Sequence, residues 1–361
     1  MSKPSLSVIC ATYKGAEKLP GLIKCLSTNL EKAQDFVEVI FVIDGSEDSS
    51  SAIIKKFAKD FPSTRIVCER NKSNLGASAS RNIGVSLADS EIIAFVDDDC
   101  RPTPTWMLDL ISIWKVALKQ TLGLGGVVNS FDPITFNQKY CQASTPLRPY
   151  RLKGGKENVL KRLFSYYSQS INQKAHAEYF AGCNMTFRRS AFVKVGGFDP
   201  SMKWGGEDAF ICSQIRRKFG PESLVIDPEL IMPHEYSLKL SGSLWRSYAY
   251  GRSSGRNSRI TGSAPSFNPG PSLILLLGLV FIATSAVLYR DFLSLQNILL
   301  TVFFEISLYV IFLNYRKIII CRSTVSKFLF SLIFLFCETA NTFGFLVGIL
   351  NFKKELVYRR A

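Results

Sequence analysis

The chain has 361 residues, 47% of them apolar, with 44 Lys+Arg against 29 Asp+Glu and a formal net charge of +15. Its 27 Phe and 13 Tyr exclude a disordered chain. The nine cysteines, odd in number and without a C-x-x-C pair, argue against a disulfide framework or zinc site and for a reducing compartment. Charge is unevenly spread: residues 1–270 hold 35 basic and 25 acidic residues, residues 271–361 nine and four, and the second stretch is almost unbroken apolar sequence. This is the composition of a soluble domain with a membrane tail.

Four short runs rich in Val, Ile and Phe read as strands: Leu6–Ala11, Val37–Ile43, Arg65–Cys68 and Glu91–Val96. Between them, Glu17–Asn29, Ser49–Lys59 and Ser78–Leu87 carry apolar residues at helical spacing. The alternation predicts an α/β fold, a parallel sheet with helices on both faces, whose ligand crevice lies beyond the carboxyl ends of the strands. The first run is too short for a leader peptide and no cleavage site follows it, so no secretion signal is expected. From Phe131 to Ala177 the pattern gives way to a polar, basic stretch with Pro133, Pro146, Pro149 and Gly154-Gly155, which reads as a long mobile loop. Order returns at Tyr179–Arg188 and in a helix from about Glu207 to Phe219. Residues 236–260 hold Lys239, Arg246, Arg252, Arg256 and Arg259 and no acidic residue. Three apolar segments follow, at about 271–289, 292–315 and 328–350, each long enough to cross a bilayer.

Carboxylates gather where the crevice is expected. Asp97-Asp98-Asp99 follow Ile92–Val96 directly, and carboxylates two apart on an extended segment point the same way and can share one hard cation. Asp44 follows the second strand in Val42-Ile43-Asp44-Gly45-Ser46, although Asp-Gly-Ser is also an ordinary turn sequence. Glu207-Asp208 open the later helix behind Trp204-Gly205-Gly206. Acidic residues in a first turn complement the helix dipole; with two permissive glycines and a flat indole they also make a sugar platform with a base beside it. Of the two histidines, His234 follows Leu230-Ile231-Met232-Pro233, while His176 lies in the irregular stretch.

Ala11-Thr12-Tyr13, Val42-Ile43-Asp44-Gly45-Ser46, Asn74-Leu75-Gly76 and Ser80-Arg81-Asn82 occur in that order, followed by Val96-Asp97-Asp98-Asp99, Ala181-Gly182-Cys183-Asn184, Gly196-Gly197-Phe198-Asp199 and Gly206-Glu207-Asp208. Together they resemble a family-2 glycosyltransferase with a GT-A fold over roughly residues 5–235, the Gly-Gly-Glu-Asp run being similar to a galactosyltransferase acceptor motif. Cys10-Ala11 stands where the family often has Pro before Thr-Tyr. The resemblance implies a catalytic domain at residues 1–235, divided into a nucleotide-binding half (1–130), the basic loop (131–178) and an acceptor half (179–235). A basic juxtamembrane linker (236–270), a Rossmann-like domain's C-terminal transmembrane region (271–352) and a basic tail (353–361) complete the expected organisation.

In site terms the resemblance implies that Thr12, Tyr13 and Asp44 hold the nucleobase, that Asp97 contacts the ribose with Asp98 beside it, and that Arg81 fixes that end of the pocket. Asp99 would bind the Mn²⁺ or Mg²⁺ that bridges the donor diphosphate, with His234 as a further ligand. Asp208 would be the general base, with Glu207, Trp204, Gly206 and Asn184 on the acceptor. The expected activity is inverting, metal-dependent transfer of a single sugar from a nucleotide-diphosphate sugar to a membrane-associated, polyprenyl-linked glycan acceptor, in cell-surface polysaccharide or glycolipid synthesis.

A processive synthase is the first alternative, but its Gln-x-x-Arg-Trp signature is missing; Trp245-Arg246 has Gly242 where Gln is needed. A sugar nucleotidylyltransferase needs a Gly-rich loop after the first strand, and Thr12-Tyr13-Lys14-Gly15 supplies one glycine. A non-catalytic membrane scaffold is the third reading, disfavoured by intact Asp99 and Asp208. Much of the positive excess lies beside the apolar segments and in the loop, so membrane lipids rather than nucleic acid are the expected partner. Positive-inside bias puts residues 1–270 on the cytoplasmic face of the plasma or inner membrane. Three spans are expected, yet a third full crossing leaves Lys353, Lys354, Arg359 and Arg360 outside against that bias. Glu338, Thr339, Asn341 and Thr342 inside the third segment keep a two-span alternative open.

Overall fold

The computed structural model describes residues 5–144, 150–151, 173–202, 205–261 and 324–350. It divides into two compact units, Met1–Ile134 with Thr145–Gly154 and Ile171–Tyr236, and Thr135–Ser144 with Gly155–Ser170 and Ser237–Ala361. In the first unit β1 (Leu6–Thr12), α1 (Leu19–Ala33), β2 (Val37–Ile43), α2 (Ser50–Asp60), β3 (Ile66–Arg70), α3 (Ala77–Leu87) and β4 (Ile92–Asp97) alternate as the sequence predicts. β1, β2 and β4 are buried on both faces, so their side chains feed two cores by simple alternation, while β3 at the sheet edge is partly exposed. Leu6, Val8 and Cys10 of β1, with Val39, Phe41 and Ile43 of β2, pack on Leu22, Leu26 and Leu30 of α1. Ile9, Ile40, Val42, Ile93 and Phe95 face the other way, onto Val85 of α3 and a phenylalanine group of Phe180, Phe187, Phe192 and Phe198.

Beyond β4 the chain adds α4 (Trp106–Val116), β5 (Gly123–Ser130), β6 (Tyr150–Arg151), β7 (Ala175–Tyr179), β8 (Met185–Arg188), α6 (Arg189–Lys194), α7 (Glu207–Phe219) and β9 (Leu224–His234). One nine-stranded sheet results, in the order β3-β2-β1-β4-β8-β5-β9-β7-β6. It is mixed rather than wholly parallel, because β8 enters antiparallel between β4 and β5. The registers bring the carboxyl ends of β1, β2 and β4 level, Thr12 opposite Ile43 and Ala11 opposite Asp97. β9 runs on until His234 pairs with Ser130 and bridges Cys100. One edge of the sheet thereby collects Thr12, Asp44, Asp97–Asp99 and His234.

The second unit contains α5 (Phe136–Ser144), α8 (Leu240–Thr261) and α9 (Thr324–Leu350). Two stretches therefore carry more structure than their sequence suggests. Residues 131–178, read as an irregular loop, include α5, β6 and β7. Asn137 of α5 explains part of this: its amide donates to the carbonyls of Ser237 and Lys239 at 2.7 and 3.2 Å and accepts from the Ser243 hydroxyl at 2.9 Å. The basic stretch read as a linker is the helix α8. Its glycines admit α9 to backbone contact: an added Cβ would meet the Asn341 carbonyl at 1.8 Å from Gly251 and the Phe345 carbonyl at 2.3 Å from Gly255. Gly344 and Gly348 of α9 meet the carbonyls of Tyr248 and Arg252 in the same way, at 2.1 Å each. Both sets of partners ascend together, so the helices run parallel. Ile333–Leu350 of α9 is long and apolar enough to cross a membrane by length and composition. The segments at about 271–289 and 292–315, the tail at 353–361 and Trp204 lie outside the described residues.

Candidate active site

One side of the crevice is built on backbone that strands β1, β2 and β4 leave at one level. Thr12 is buried and its hydroxyl donates to Asp98 Oδ2 at 2.6 Å. Tyr13, the next residue, is 47% exposed, with Lys14 Nζ over its ring at 5.5 Å from the centroid. Asp44 is buried, and its carboxylate accepts from Asn71 Nδ2 at 2.9 Å and from the backbone N–H groups of Leu75 and Gly76 at 2.8 and 2.9 Å. Three of its roughly four acceptor positions are thus filled from within. Asp44 organises the Asn74-Leu75-Gly76 turn as well as bordering the crevice.

Asp98 and Asp99 share a cation that the sequence did not flag. Lys18, at the entry to α1, places Nζ 2.9 Å from Asp99 Oδ2 and 3.3 Å from Asp98 Oδ1. Burial works to lower the Lys18 pKa, but the two carboxylates outweigh it and hold the ammonium above its ordinary value. Asp98 is raised, by burial first. Asp99 goes the other way: burial raises it, while His234 and Lys18 together hold it well below the usual carboxylate range.

Arg81 of α3 joins the two halves of the crevice. Its guanidinium donates to Asp97 Oδ1 at 2.7 Å and to Glu207 Oε1 at 2.6 Å, across 126 residues of sequence, and is itself buried. Gly205 and Gly206 have φ of +107° and +83°, left-handed values that glycine adopts without strain, and they turn the chain so that α7 begins with Glu207 and Asp208 facing inward. Asp208 Oδ2 accepts from the Gly182 N–H at 3.1 Å and Oδ1 from the Ala209 N–H at 2.7 Å. Burial, and then the neighbouring Glu207 charge, push the Asp208 carboxyl up to about 7. A carboxyl poised there exchanges a proton near neutral pH. Asn184 is placed differently from its expected acceptor role: it is buried, and its amide donates to the carbonyls of Val127 and Leu230 at 3.1 and 2.9 Å, stitching β5 to β9.

His234 is buried at the end of β9, with Nε2 3.0 Å from Asp99 Oδ1 and its ring 4.8 Å from that of Tyr236. Its Nδ1 is buried with no hydrogen-bond partner. A carboxylate and an imidazole held together, one ring nitrogen unsatisfied, fit a divalent cation. A second set overlaps it: Asp97, Cys183 and His234 each bring a ligand atom within 4.8 Å of the others and could hold an ion. Lys18 did not stand out in the sequence, and Cys183 did so only as a member of the Ala181–Asn184 motif, since a lysine near a helix start and a cysteine in a tight turn are both ordinary there.

Residues 7–196 match the model of glycosyl transferase family 2, more than half of the chain. The chain belongs to that family and is a glycosyltransferase. A glucosyl-dolichyl phosphate glucuronosyltransferase of Haloferax volcanii is 24% identical over 257 residues, covering 69% of this chain and 75% of the relative. A putative polypeptide N-acetylgalactosaminyltransferase 13 of Drosophila melanogaster is 26% identical, covering 56% of this chain and 37% of that protein. The solved structure of a mannosyltransferase from Pyrobaculum calidifontis, in complex with GDP-Man and Mn²⁺, superposes with a TM-score of 0.60 at 15% identity, over 98% of this chain and 89% of that one. The fold is therefore GT-A.

Proposed function

We propose that this glycosyltransferase moves one sugar, with inversion, from a nucleotide-diphosphate sugar to a lipid-linked acceptor at a membrane. The observation that carries the reading is the pairing, through Arg81, of the Asp97–Asp99 edge with the α7 carboxylates Glu207 and Asp208. On the donor side Tyr13 offers its exposed ring to the base, with Thr12 and Asp44 behind it, and Asp97 and Asp98 border the ribose. Asp99 and His234 would hold a divalent ion, Mn²⁺ or Mg²⁺. When bound, such an ion supplies positive charge against the departing nucleoside diphosphate.

Asp208 acts as the base. With its pKa near 7 it is substantially ionised at neutral pH yet basic enough to take the acceptor hydroxyl's proton as that oxygen attacks the anomeric carbon. Direct attack from the face opposite the leaving group inverts the configuration. Arg81 orients Glu207, so that Glu207, with Gly206 and Trp204, can meet the acceptor sugar; Asn184 supports the turn beneath them as a positioning residue.

The lipid-linked acceptor is favoured by the apolar tail and by the Haloferax relative, whose name specifies a dolichyl phosphate substrate. A soluble donor needs no membrane, whereas tethering raises the effective concentration of a second substrate confined to one. Positive-inside bias favours the cytoplasmic face, where residues 236–260 carry basic charge alone. The experiment is a panel of radiolabelled nucleotide sugars incubated with membranes and Mn²⁺, then organic extraction and analysis of anomeric configuration. Label in the lipid phase with inverted linkage is expected. Label confined to water-soluble glycan removes the acceptor class, and a retained configuration removes the mechanism.

A further inference from the structure

Cys183 stands at the crevice in a position that glycosyl transfer does not call on. It lies in the tight turn Ala181–Asn184, closed by the Asn184 N–H on the Ala181 carbonyl at 2.9 Å. The turn is wedged between two functional neighbours: Gly182 donates to Asp208, and the Cys183 carbonyl lies 3.8 Å from Cys100 Sγ, next to Asp99. The Cys183 side chain is buried, and its sulfur falls within 4.8 Å of a carboxylate oxygen of Asp97 and a ring nitrogen of His234. Ligands about 2.0–2.3 Å from a common tetrahedral ion stand about 3.4–3.7 Å apart, so closure needs side-chain movement of an ångström or so. His234 Nδ1, buried and without a hydrogen-bond partner while Nε2 meets Asp99, is the independent sign that the imidazole lacks a ligand.

We propose that Asp97, Cys183 and His234 form a binding site for a thiophilic or borderline divalent ion such as Zn²⁺, Co²⁺ or Cd²⁺, overlapping the proposed Mn²⁺ position through the shared His234. Softness decides between the two sets. A thiolate with an imidazole and one carboxylate suits Zn²⁺ or Co²⁺, whereas Asp99, water and phosphate oxygens suit Mn²⁺ or Mg²⁺. On coordination the thiol proton leaves to buffer and a metal–sulfur bond replaces it; no oxidant or reductant takes part. A thiophilic ion held through His234 sets a second divalent charge beside the hard ion's position, so the two compete and donor-diphosphate binding falls with the hard ion. The inference rests on the metal-dependent reading only in its inhibitory consequence, not in the existence of the thiol site.

The test uses the full chain in detergent with Co²⁺ alone and no nucleotide. Bound Co²⁺, measured by equilibrium dialysis, is expected to show a near-ultraviolet thiolate-to-cobalt charge-transfer band. Cys183→Ser should abolish that band and weaken Cd²⁺ binding at least the 10–100-fold that losing even an outer-shell partner costs. Cys100→Ser, altering the adjacent thiol, should leave the band in place and serves as the folding control, together with Mn²⁺ affinity held within about threefold. A band that survives Cys183→Ser, or Co²⁺ that binds without one, overturns the proposal. Mn²⁺-dependent donor binding is measured in parallel. If it is intact while the band is missing, the thiol site alone fails; if it is missing while the band is present, the metal-dependent transfer reading fails instead.

Discussion

Carboxylates stand at both ends of the parallel strands, and the two ends treat them in opposite ways. At the amino end, Glu38 of β2 is fully buried and accepts from the hydroxyls of Ser7 and Ser90, from the backbone N–H groups of Asp89 and Ser90 at 2.7 and 3.3 Å, and from the Arg65 guanidinium. Its capacity is filled from within, and the result is a rivet joining β1, β2 and the entry to β4. At the carboxyl end, Asp97, Asp98, Asp99, Glu207 and Asp208 face two permanent cations, Lys18 and Arg81. Glu207 Oε2 and Arg81 Nε are buried there without a hydrogen-bond partner. A saturated carboxylate stabilises a fold; an unsaturated group of them is stabilised only by something that binds. The chain leaves its electrostatic deficit at the edge proposed to receive the ligand.

The sharpest way to break that comparison is to remove one carboxylate from each edge. Asp208→Asn should lower turnover by about 10²–10⁴, the worth of a general base. It should also make the protein more stable at pH 8, not less. Burial and Glu207 raise the folded-state value to about 7, above the roughly 3.9 of an unfolded chain, so folding binds a proton between those values and this group's contribution to stability falls as pH rises through that window. Thermal melts at pH 5 and pH 8 check the sign: the wild-type deficit relative to Asp208→Asn should appear at pH 8 and shrink at pH 5. Wild-type turnover should rise with pH through about 7. Glu38→Gln should do the reverse, costing about 2–4 kcal/mol of stability in denaturant melts while turnover per folded molecule stays within about twofold.

Two smaller effects sharpen the comparison within the ligand edge. Asp99→Asn should weaken donor binding in Mn²⁺ by about 10–100-fold and erase its dependence on the metal, read by calorimetry with and without chelator. Lys18→Gln should raise Mn²⁺ affinity in the absence of nucleotide by roughly 3–10-fold, because a competing cation is removed; the Lys18 side chain is half exposed, and solvent screening keeps the effect modest. Unchanged or weaker Mn²⁺ binding would show that Lys18 is not the resident counter-ion.

Much of the ligand edge was legible because its parts are local. β1, β2 and β4 announce themselves as apolar runs, and Asp44 and Asp97–Asp99 follow them within a residue. What sequence could not show is pairing at long range. β5 reads poorly as a strand because Gly123, Gly125 and Gly126 replace the usual branched residues. They do so since Phe187, Phe180 and Leu230 fill the space a side chain would need, a fact that exists only in three dimensions. The Arg81 bridge was likewise invisible: both its partners were singled out, but nothing in the spacing joins them. The Asn184 motif was recognised while its amide turned out to serve β5 and β9. α8 escaped because Ser, Gly and Arg carry little helical periodicity, its helix being imposed by contact with α9.

That contact binds two unlike helices to a common depth. α9 turns Phe336, Phe343, Leu346 and Leu350 outward and keeps its glycines for α8, while α8 brings Arg252 and Arg256 beside Gly251 and Gly255. Because the pair is parallel and meets at backbone distance, wherever Asn341–Gly348 rests along a bilayer normal, those guanidinium groups rest at the same level. In the hydrocarbon centre each would carry a penalty of about 2.5–3.5 kcal/mol; among headgroups each would gain about 1 kcal/mol from anionic lipid. Sliding by one turn offers no escape, since the notches recur every four residues, about 6 Å. A bilayer that took up this pair would meet α8 and α9 as one amphipathic body, its immersion limited by the arginines, however apolar the second helix is when read alone.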